Sequence, residues 1–219
     1  MESIRKQIAH EEFDYQTLID SLKEYSRPRD KISDLLRKRI IIRVKKGLYI
    51  FGDDYRRRPF SREILANLIY GPSYVSLEYA LHYYGLIPER AEAVTSVTPG
   101  RSRKFYSTVG LFAYRMIPLD AFRTGMNRVT LEGERSFLIS TPEKALADKI
   151  RDDRGAGIVT QQQLHDYLSN DLRVDTLALR ELNPDHLAEI AHRYRSRRIK
   201  LLSDLVRRLA RGTGEVDHA

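Results

Sequence analysis

The sequence predicts an α+β protein of two domains, and three observations lead to that prediction. Two short amphipathic stretches run into a β-branched hairpin pattern between residues 13 and 51. From residue 61 onward, capped helical patterns alternate with runs of high β propensity. A polar, arginine-rich segment, GDDYRRRP, separates the two patterns at residues 52–59. We therefore expect one domain at 1–58 and a second, mixed α+β domain at 59–219.

The first domain begins with apolar residues at helical spacing, which predict two helices. Ile4 and Ile8 are four residues apart, which predicts a first helix that packs against the elements after it. Asp14 is a typical N-cap residue, and a polar connection from Lys23 to Arg27 ends the helix that it starts. The apolar face of this second helix should consist of Tyr15, Leu18, Ile19 and Leu22.

Pro28 predicts the start of a third helix, because the N–H that proline lacks would have no helical partner in the first turn. The inward face of this helix should consist of Ile32, Leu35, Leu36 and Ile40. The opposite face carries Lys31, Ser33, Asp34, Arg37 and Lys38.

A hairpin should follow the third helix. Ile41–Val44 and Leu48–Phe51 are short runs of high β propensity, and Gly47 can adopt a positive φ between them. Lys45 and Lys46 would then lie at the tip. The order of helix, turn, helix and hairpin indicates a winged helix-turn-helix. In such a domain the helix after the turn, here the third helix of the chain, reads DNA, and the hairpin forms the wing.

The distribution of charge supports a DNA-binding first domain. From Arg27 to Arg58 there are twelve Lys or Arg and four Asp or Glu, a difference of +8, which equals the net charge of the whole chain. A basic excess on a recognition helix and wing is typical of phosphate contact. The alternative is a solvated basic face on a structural helical hairpin, and Arg56–Arg58 fit either interpretation equally well. The expected DNA-binding residues are Arg27, Arg29, Lys31, Ser33, Arg37, Lys38, Arg43, Lys45 and Lys46.

Caps and breakers define the second domain. Ser61 should cap a helix that ends at Gly71, and Ser76 should cap a helix that ends at Gly85. Thr141, followed by Pro142, should cap a third. Strands are expected at 93–98, 105–109, 111–117 and 136–140.

The chain after residue 160 has helical spacing throughout. Asn183 and Pro184 should start one helix, and the last should run from Ser196 to Ala210 and end at Gly212, before a frayed tail. This region carries a second candidate surface for anions, which could equally be a solvated face or a patch that contacts a toxin or RNA. It consists of Arg193, Arg195, Arg197, Arg198, Lys200, Arg207 and Arg208.

Other chemistries find little support. The sequence has no cysteine, no apolar run long enough to span a bilayer and no signal-peptide core, so we expect a cytoplasmic protein without membrane contact. The six histidines lack metal-ligand spacing, and we expect neither a metal, nor a cofactor, nor a catalytic residue. Asp148 could be catalytic, but the favoured interpretation is structural: it pairs with a nearby Lys or Arg, or accepts backbone hydrogen bonds, and holds its helix against the strands.

Three further stretches are KKGLYIF at 45–51, SLEYALHYYGLIP at 76–88 and STPEKALADK at 140–149. Together they resemble the AbiEi antitoxins of type IV toxin–antitoxin systems. The resemblance implies an N-terminal winged domain that represses its own operon by binding operator DNA. It also implies a C-terminal domain that counters a nucleotidyltransferase-like toxin. It assigns no catalytic residue and no operator sequence.

The sequence therefore predicts a DNA-binding transcriptional repressor that acts as an antitoxin. One alternative is an enzyme that the first domain positions on nucleic acid, which would require a cleft with paired carboxylates or metal ligands in residues 61–219. The other is an adaptor that uses the winged fold for protein contact, which would lack salt-dependent DNA binding.

Overall fold

The computed structural model describes residues 2–211, with side chains from residue 4. The fold is mixed α and β, as the sequence predicts. The helices are α1 (Glu2–Gln7), α2 (Tyr15–Asp20), α3 (Pro28–Arg37), α4 (Arg62–Ile69), α5 (Leu77–Tyr83), α6 (Leu119–Phe122), α7 (Pro142–Asp152), α8 (Gln161–Asp166), α9 (Thr176–Arg180), α10 (Pro184–Tyr194) and α11 (Arg197–Arg211). The strands are β1 (Glu12–Asp14), β2 (Ile41–Lys45), β3 (Leu48–Phe51), β4 (Tyr74–Val75), β5 (Val94–Thr98), β6 (Arg103–Ser107), β7 (Gly110–Met116), β8 (Met126–Thr130) and β9 (Ser136–Ser140).

Residues 2–58, here called the N-terminal unit, form three helices and a three-stranded antiparallel sheet. The strand order is β1-β3-β2, so the last strand of the unit lies in the middle. The three helices and one face of this sheet enclose an apolar cluster that includes Ile4, Leu18 and Leu35. Every buried residue of this cluster comes from the N-terminal unit, which gives the unit a core of its own.

Three local signals in the N-terminal unit are confirmed, and one prediction is wrong. The carboxylate of Asp14 accepts a hydrogen bond from the Thr17 backbone N–H at 2.8 Å, so it caps α2. Pro28 is the first residue of α3, and Gly47 has a φ of +84° in the hairpin turn. Tyr15 was wrongly placed on the inward face of α2, since its side chain is exposed.

The second face of the small sheet is covered by the rest of the chain. All four residues of β3 are buried, although a strand with one solvated face would alternate. Tyr49 and Phe51 belong to the core of the N-terminal unit, whereas Leu48 and Ile50 belong to a larger cluster with residues of α4. The small sheet therefore connects two apolar cores.

Residues 59–211, here called the C-terminal unit, are built on a mixed six-stranded sheet. Its strand order is β6-β7-β5-β4-β9-β8. The hydroxyl of Tyr114 in β7 donates to the carbonyl of Ala66 in α4, and Arg115 beside it reaches Asp152 at the end of α7. Because successive side chains of a strand point to opposite faces, α4 and α7 lie on opposite sides of this sheet. The N-terminal unit packs on the α4 side, and α11 packs against α7 on the other.

Most of the predicted elements in the C-terminal unit are confirmed, with shifts at their ends. Ser61 and Thr141 cap α4 and α7 through their side chains, and β9 has the predicted bounds. Ser76 occupies the predicted N-cap position of α5, but its side chain does not cap the helix, because its hydroxyl donates to the carboxylate of Asp148. The predicted strand 105–109 lies at 103–107, and the next strand begins at Gly110.

The C-terminal helices follow the sequence pattern closely. Asn183 caps α10 by accepting hydrogen bonds from the backbone N–H groups of Asp185 and His186. The last helix is described from Arg197 to Arg211, and its predicted end at Gly212 and the tail lie outside the described residues. Within residues 2–211, no helix has the length and apolar character needed to cross a membrane.

Candidate nucleic-acid interface

Helix α3 presents a polar stripe away from the core of the N-terminal unit. Ile32 and Leu35 are buried, which fixes the opposite side of the helix as its solvent side. Arg29, Ser33 and Arg37 are all exposed there and are spaced four residues apart, so they lie one above the other on the helix surface. The stripe is long enough to present side chains to a groove of DNA.

Asp34 holds two cations of α3 in place. Its carboxylate contacts Arg37 at 2.6 Å and Lys38 at 3.0 Å, and hydrogen bonds from Lys38 and then Arg37 hold the pKa of Asp34 below its usual value. Arg37 and Lys38 are mostly exposed, so water screens these ion pairs and each contributes little stability. Both cations can therefore be drawn from Asp34 by a phosphate or a base at small cost.

The other predicted residues are the N-cap residue Arg27 and, within α3, Lys31 and Ser33. The Arg27 side chain is 84% exposed and lies 3.9 Å from Asp30. Lys31 is half-buried, and its ammonium lies 5.0 Å from the centre of the Tyr25 ring. The Ser33 hydroxyl donates to the Arg29 carbonyl at 3.2 Å and keeps its acceptor capacity toward solvent.

The β2–β3 hairpin carries three exposed cations. Arg43 and Lys45 lie in β2, and Lys46 lies in the turn. The turn is fixed to the start of α2, because the Tyr15 backbone N–H donates to the Gly47 carbonyl at 2.9 Å. Gly47 has open space around its α-carbon, so its positive φ, rather than crowding, favours glycine there.

Lys45 corrects the expectation of two free lysines at the hairpin tip. Its ammonium donates to the carbonyl of Ile69 at 2.5 Å and lies 5.6 Å from the centre of the Phe105 ring. The cause is a bulge between Arg43 and Lys45, which places Lys45 opposite Leu48 on the face that packs against α4. Without that extra residue, Lys45 would share the face of Arg43.

Of the three arginines after the hairpin, two bind groups within the protein and one is exposed. Arg56 pairs with Asp53 and lies over the Phe60 ring, while Arg58 donates to the carbonyl of Glu132 at 3.1 Å. Arg57 is exposed. Two of these three side chains therefore hold the connection between the units. The exposed Arg39, directly after α3, adds a cation that the residue-by-residue prediction left out.

Two buried carboxylates of the N-terminal unit have different roles, because Glu11 bonds within the unit and Glu12 bonds to the C-terminal unit. Glu11 is fully buried and pairs with Arg5, and its carboxylate accepts from the Arg57 backbone N–H at 3.3 Å. Glu12 contacts Arg135 of the C-terminal unit at 3.2 Å and accepts from the backbone N–H of Ser61. The bonds of Glu12 hold the N-terminal unit, and with it the exposed cations of α3, in one orientation relative to the large sheet.

The predicted pairing of Asp148 with a basic residue is confirmed. Its carboxylate receives hydrogen bonds from Lys144, from the Tyr194 hydroxyl at 2.5 Å and from the Ser76 hydroxyl at 2.7 Å. The side chains of Asp148 and Lys144 have no exposed surface, so no solute reaches this pair in the folded chain. Among residues 4–211, no group of three or more His, Asp or Glu side chains has a geometry that could hold a metal ion.

In comparisons with known proteins, no protein-family model and no curated protein sequence matches the chain.

Proposed function

We propose that this chain is a DNA-binding transcriptional repressor that acts as the antitoxin of a toxin–antitoxin operon. In this proposal the N-terminal unit is a winged helix-turn-helix, α3 is its recognition helix, and the β2–β3 hairpin is its wing. The operator DNA is its first partner. A nucleotidyltransferase-like toxin is its functional partner, as the resemblance to AbiEi antitoxins implies.

The observation that carries the DNA-binding part is the placement of the cations. The basic excess of the sequence lies between residues 27 and 58, and all exposed members of that set except Arg57 lie on α3, at its two ends or on the adjoining hairpin. Arg37 can hydrogen-bond O6 and N7 of guanine, which distinguishes bases, whereas a lysine on a hairpin turn is suited to phosphate. The order α1-β1-α2-α3-β2-β3 also agrees with a winged helix.

The test is a titration of two labelled duplexes at several salt concentrations. One duplex carries the DNA upstream of the protein's own reading frame, and the other has a random sequence. Arg37→Ala should reduce the preference for the first duplex by about 1–3 kcal/mol, the worth of a good base contact. Lys46→Ala should weaken binding to both duplexes alike and should reduce the slope of log affinity against log salt by about 0.9.

Lys45→Ala is the matched control for Lys46→Ala, because both remove one lysine charge from the same hairpin. The ammonium of Lys45 is bound to the Ile69 carbonyl, so its loss should leave the salt slope nearly unchanged. Equal effects of the two lysine variants would contradict the assignment of Lys46 as the phosphate contact. An unchanged duplex preference in Arg37→Ala would remove α3 as the reading helix.

A further inference from the structure

The end of α10 and the whole of α11 carry a second concentration of positive charge, on the far side of the molecule from α3. Residues 193–211 contain eight Lys or Arg and one acid, Asp204. Along α11, six of the seven charged side chains fall on one side, because most of them are three or four residues apart, whereas Arg198 donates to the carbonyls of Asp153 and Arg154. We call this face the α11 stripe, and it consists of Arg197, Lys200, Asp204, Arg207, Arg208 and Arg211.

The α11 stripe is exposed at both ends, at Arg197, Lys200, Arg208 and Arg211, and half-buried at Asp204 and Arg207. Ile199, Leu202 and Val206 are fully buried on the other side of the helix, which fixes its orientation. The stripe spans about 20 Å, from the rise of 1.5 Å per residue. Within residues 4–211, the side chains of Arg197, Lys200, Arg208 and Arg211 form no ion pair, while Arg207 contacts Asp185 at 2.5 Å. Most of its positive charge is therefore available to a partner.

The chemistry of the stripe favours phosphate over an acidic protein. Protein interfaces depend on a few apolar or aromatic anchors at their centre. No large apolar side chain of α11 is exposed within the described residues, so the stripe offers no such anchor. Five of its six residues are cations and four of those are arginines, whose planar guanidinium matches phosphate oxygens.

Its position separates the α11 stripe from the α3 surface. Lys45 of the hairpin is bound to α4, and α11 packs against α7, which lies on the opposite face of the large sheet. One straight duplex cannot lie along both sides of this sheet. A duplex on α3 therefore leaves the α11 stripe free for another segment.

We propose that the α11 stripe binds the backbone of a second DNA duplex, without reading its sequence, so that one chain bridges two duplex segments. This inference rests on the proposed DNA binding by the N-terminal unit. The wide major groove of B-form DNA accepts a helix such as α11, whereas the deep, narrow major groove of duplex RNA does not.

The experiment is a bridging assay with the full chain. A duplex carrying the upstream DNA is fixed to beads, the protein is added, and retention of a free, fluorescent random duplex is measured. The stripe variant Arg197→Gln/Lys200→Gln/Arg208→Gln should still bind the fixed duplex but should retain about tenfold less of the free one, since three phosphate contacts are lost. Glutamine keeps the helix propensity of these exposed positions.

The matched control is Arg90→Gln/Arg128→Gln/Arg180→Gln, which removes the same charge from exposed positions outside both surfaces. It should bridge as the wild type does. Bridging by the stripe variant at the wild-type level would overturn the inference, as would equal competition by polyglutamate or preferred retention of duplex RNA. Weaker binding of the stripe variant to the fixed duplex would place both surfaces on one duplex and would also overturn it.

Failure of the proposed function has a different signature. If the N-terminal unit does not recognise the upstream DNA, the wild type shows no preference for it in the titration, whatever the stripe variant does. If only the bridging inference fails, that preference remains and the stripe variant behaves as the wild type does.

Discussion

Lys144 and Asp148 are fully buried neighbours on α7, and they show how one pair of residues joins several elements. The carboxylate of Asp148 also accepts from Ser76, before α5, and from Tyr194, at the end of α10. Burial lowers the pKa of Lys144, and the charge of Asp148 opposes that change. Burial, and next the charge of Asp148, raise the pKa of Tyr194, which keeps its hydroxyl protonated as a donor. The pair is therefore a polar centre of the C-terminal unit rather than an exposed site.

Removing one member of this pair should destabilise the chain strongly. Lys144→Met leaves a buried carboxylate without its cation and should lower the free energy of unfolding by about 3–5 kcal/mol. The double variant Lys144→Met/Asp148→Leu removes both charges and should be the more stable of the two. Urea denaturation measures both. A double variant that is less stable than the single one would show that the hydrogen bonds to Asp148, rather than its pairing with Lys144, dominate.

Helix α3 has one face in the core and the other on the proposed DNA surface. The rotation of the helix about its axis therefore decides which leucine is buried and stabilises the fold. The periodicity places both Leu35 and Leu36 inward, but only Leu35 is completely buried and Leu36 is half-buried. Leu35→Ala should therefore cost about 2–5 kcal/mol, and Leu36→Ala should cost clearly less. Thermal melting of the two variants tests this order. Equal melting temperatures would mean that α3 is rotated from its described position.

The elements that could be predicted from sequence are those with a local signal. Caps at Asp14, Ser61 and Thr141 are hydrogen bonds between neighbours in the chain, and they occur as expected. Strand β1 went unpredicted because it is three residues long and two of those residues are acids. Strand β8, an edge strand, shows almost no burial alternation, so its pattern resembles a loop.

The candidate site was predictable in its charges but not in its geometry. The positions of the charged residues along the sequence are enough to locate the basic excess at 27–58. It does not reveal that a bulge turns Lys45 toward α4. Nor does it reveal that Arg56 and Arg58 bind groups within the protein. The partner of Ser76 was equally unpredictable, because its hydroxyl donates to Asp148, which is 72 residues away in the chain. Such partners depend on the tertiary fold, and periodicity carries no information about them.

At the scale of the whole molecule, the N-terminal unit has its own apolar core, but part of its surface is covered by the C-terminal unit. Val44, Leu48 and Ile50 are buried against the C-terminal unit, and Glu12 relies on Arg135 there. Cutting the chain at residue 60 would expose the three apolar side chains and leave Glu12 without Arg135. The boundary near residue 58 therefore separates two cores that share one covered interface.

A fragment of residues 1–60 should bind duplex DNA more weakly than the full chain and melt at a lower temperature. Its α3 surface is intact, but exposing Val44, Leu48 and Ile50 removes about 1.5–3 kcal/mol of burial for each side chain. In the proposed function, it should also fail to protect cells from the toxin, since the C-terminal unit is missing. Affinity titration, melting and growth rescue measure these three outcomes.

A repaired fragment separates stability from function. Val44→Thr/Leu48→Thr/Ile50→Thr replaces the apolar face with hydroxyl side chains that suit a solvated strand. If the fragment binds weakly only because it is unstable, this repair should restore much of its affinity for DNA. Growth rescue should remain absent, because no change within residues 1–60 replaces the C-terminal unit. Protection by the repaired fragment would assign the antitoxin role to the N-terminal unit alone and contradict the proposed division of labour.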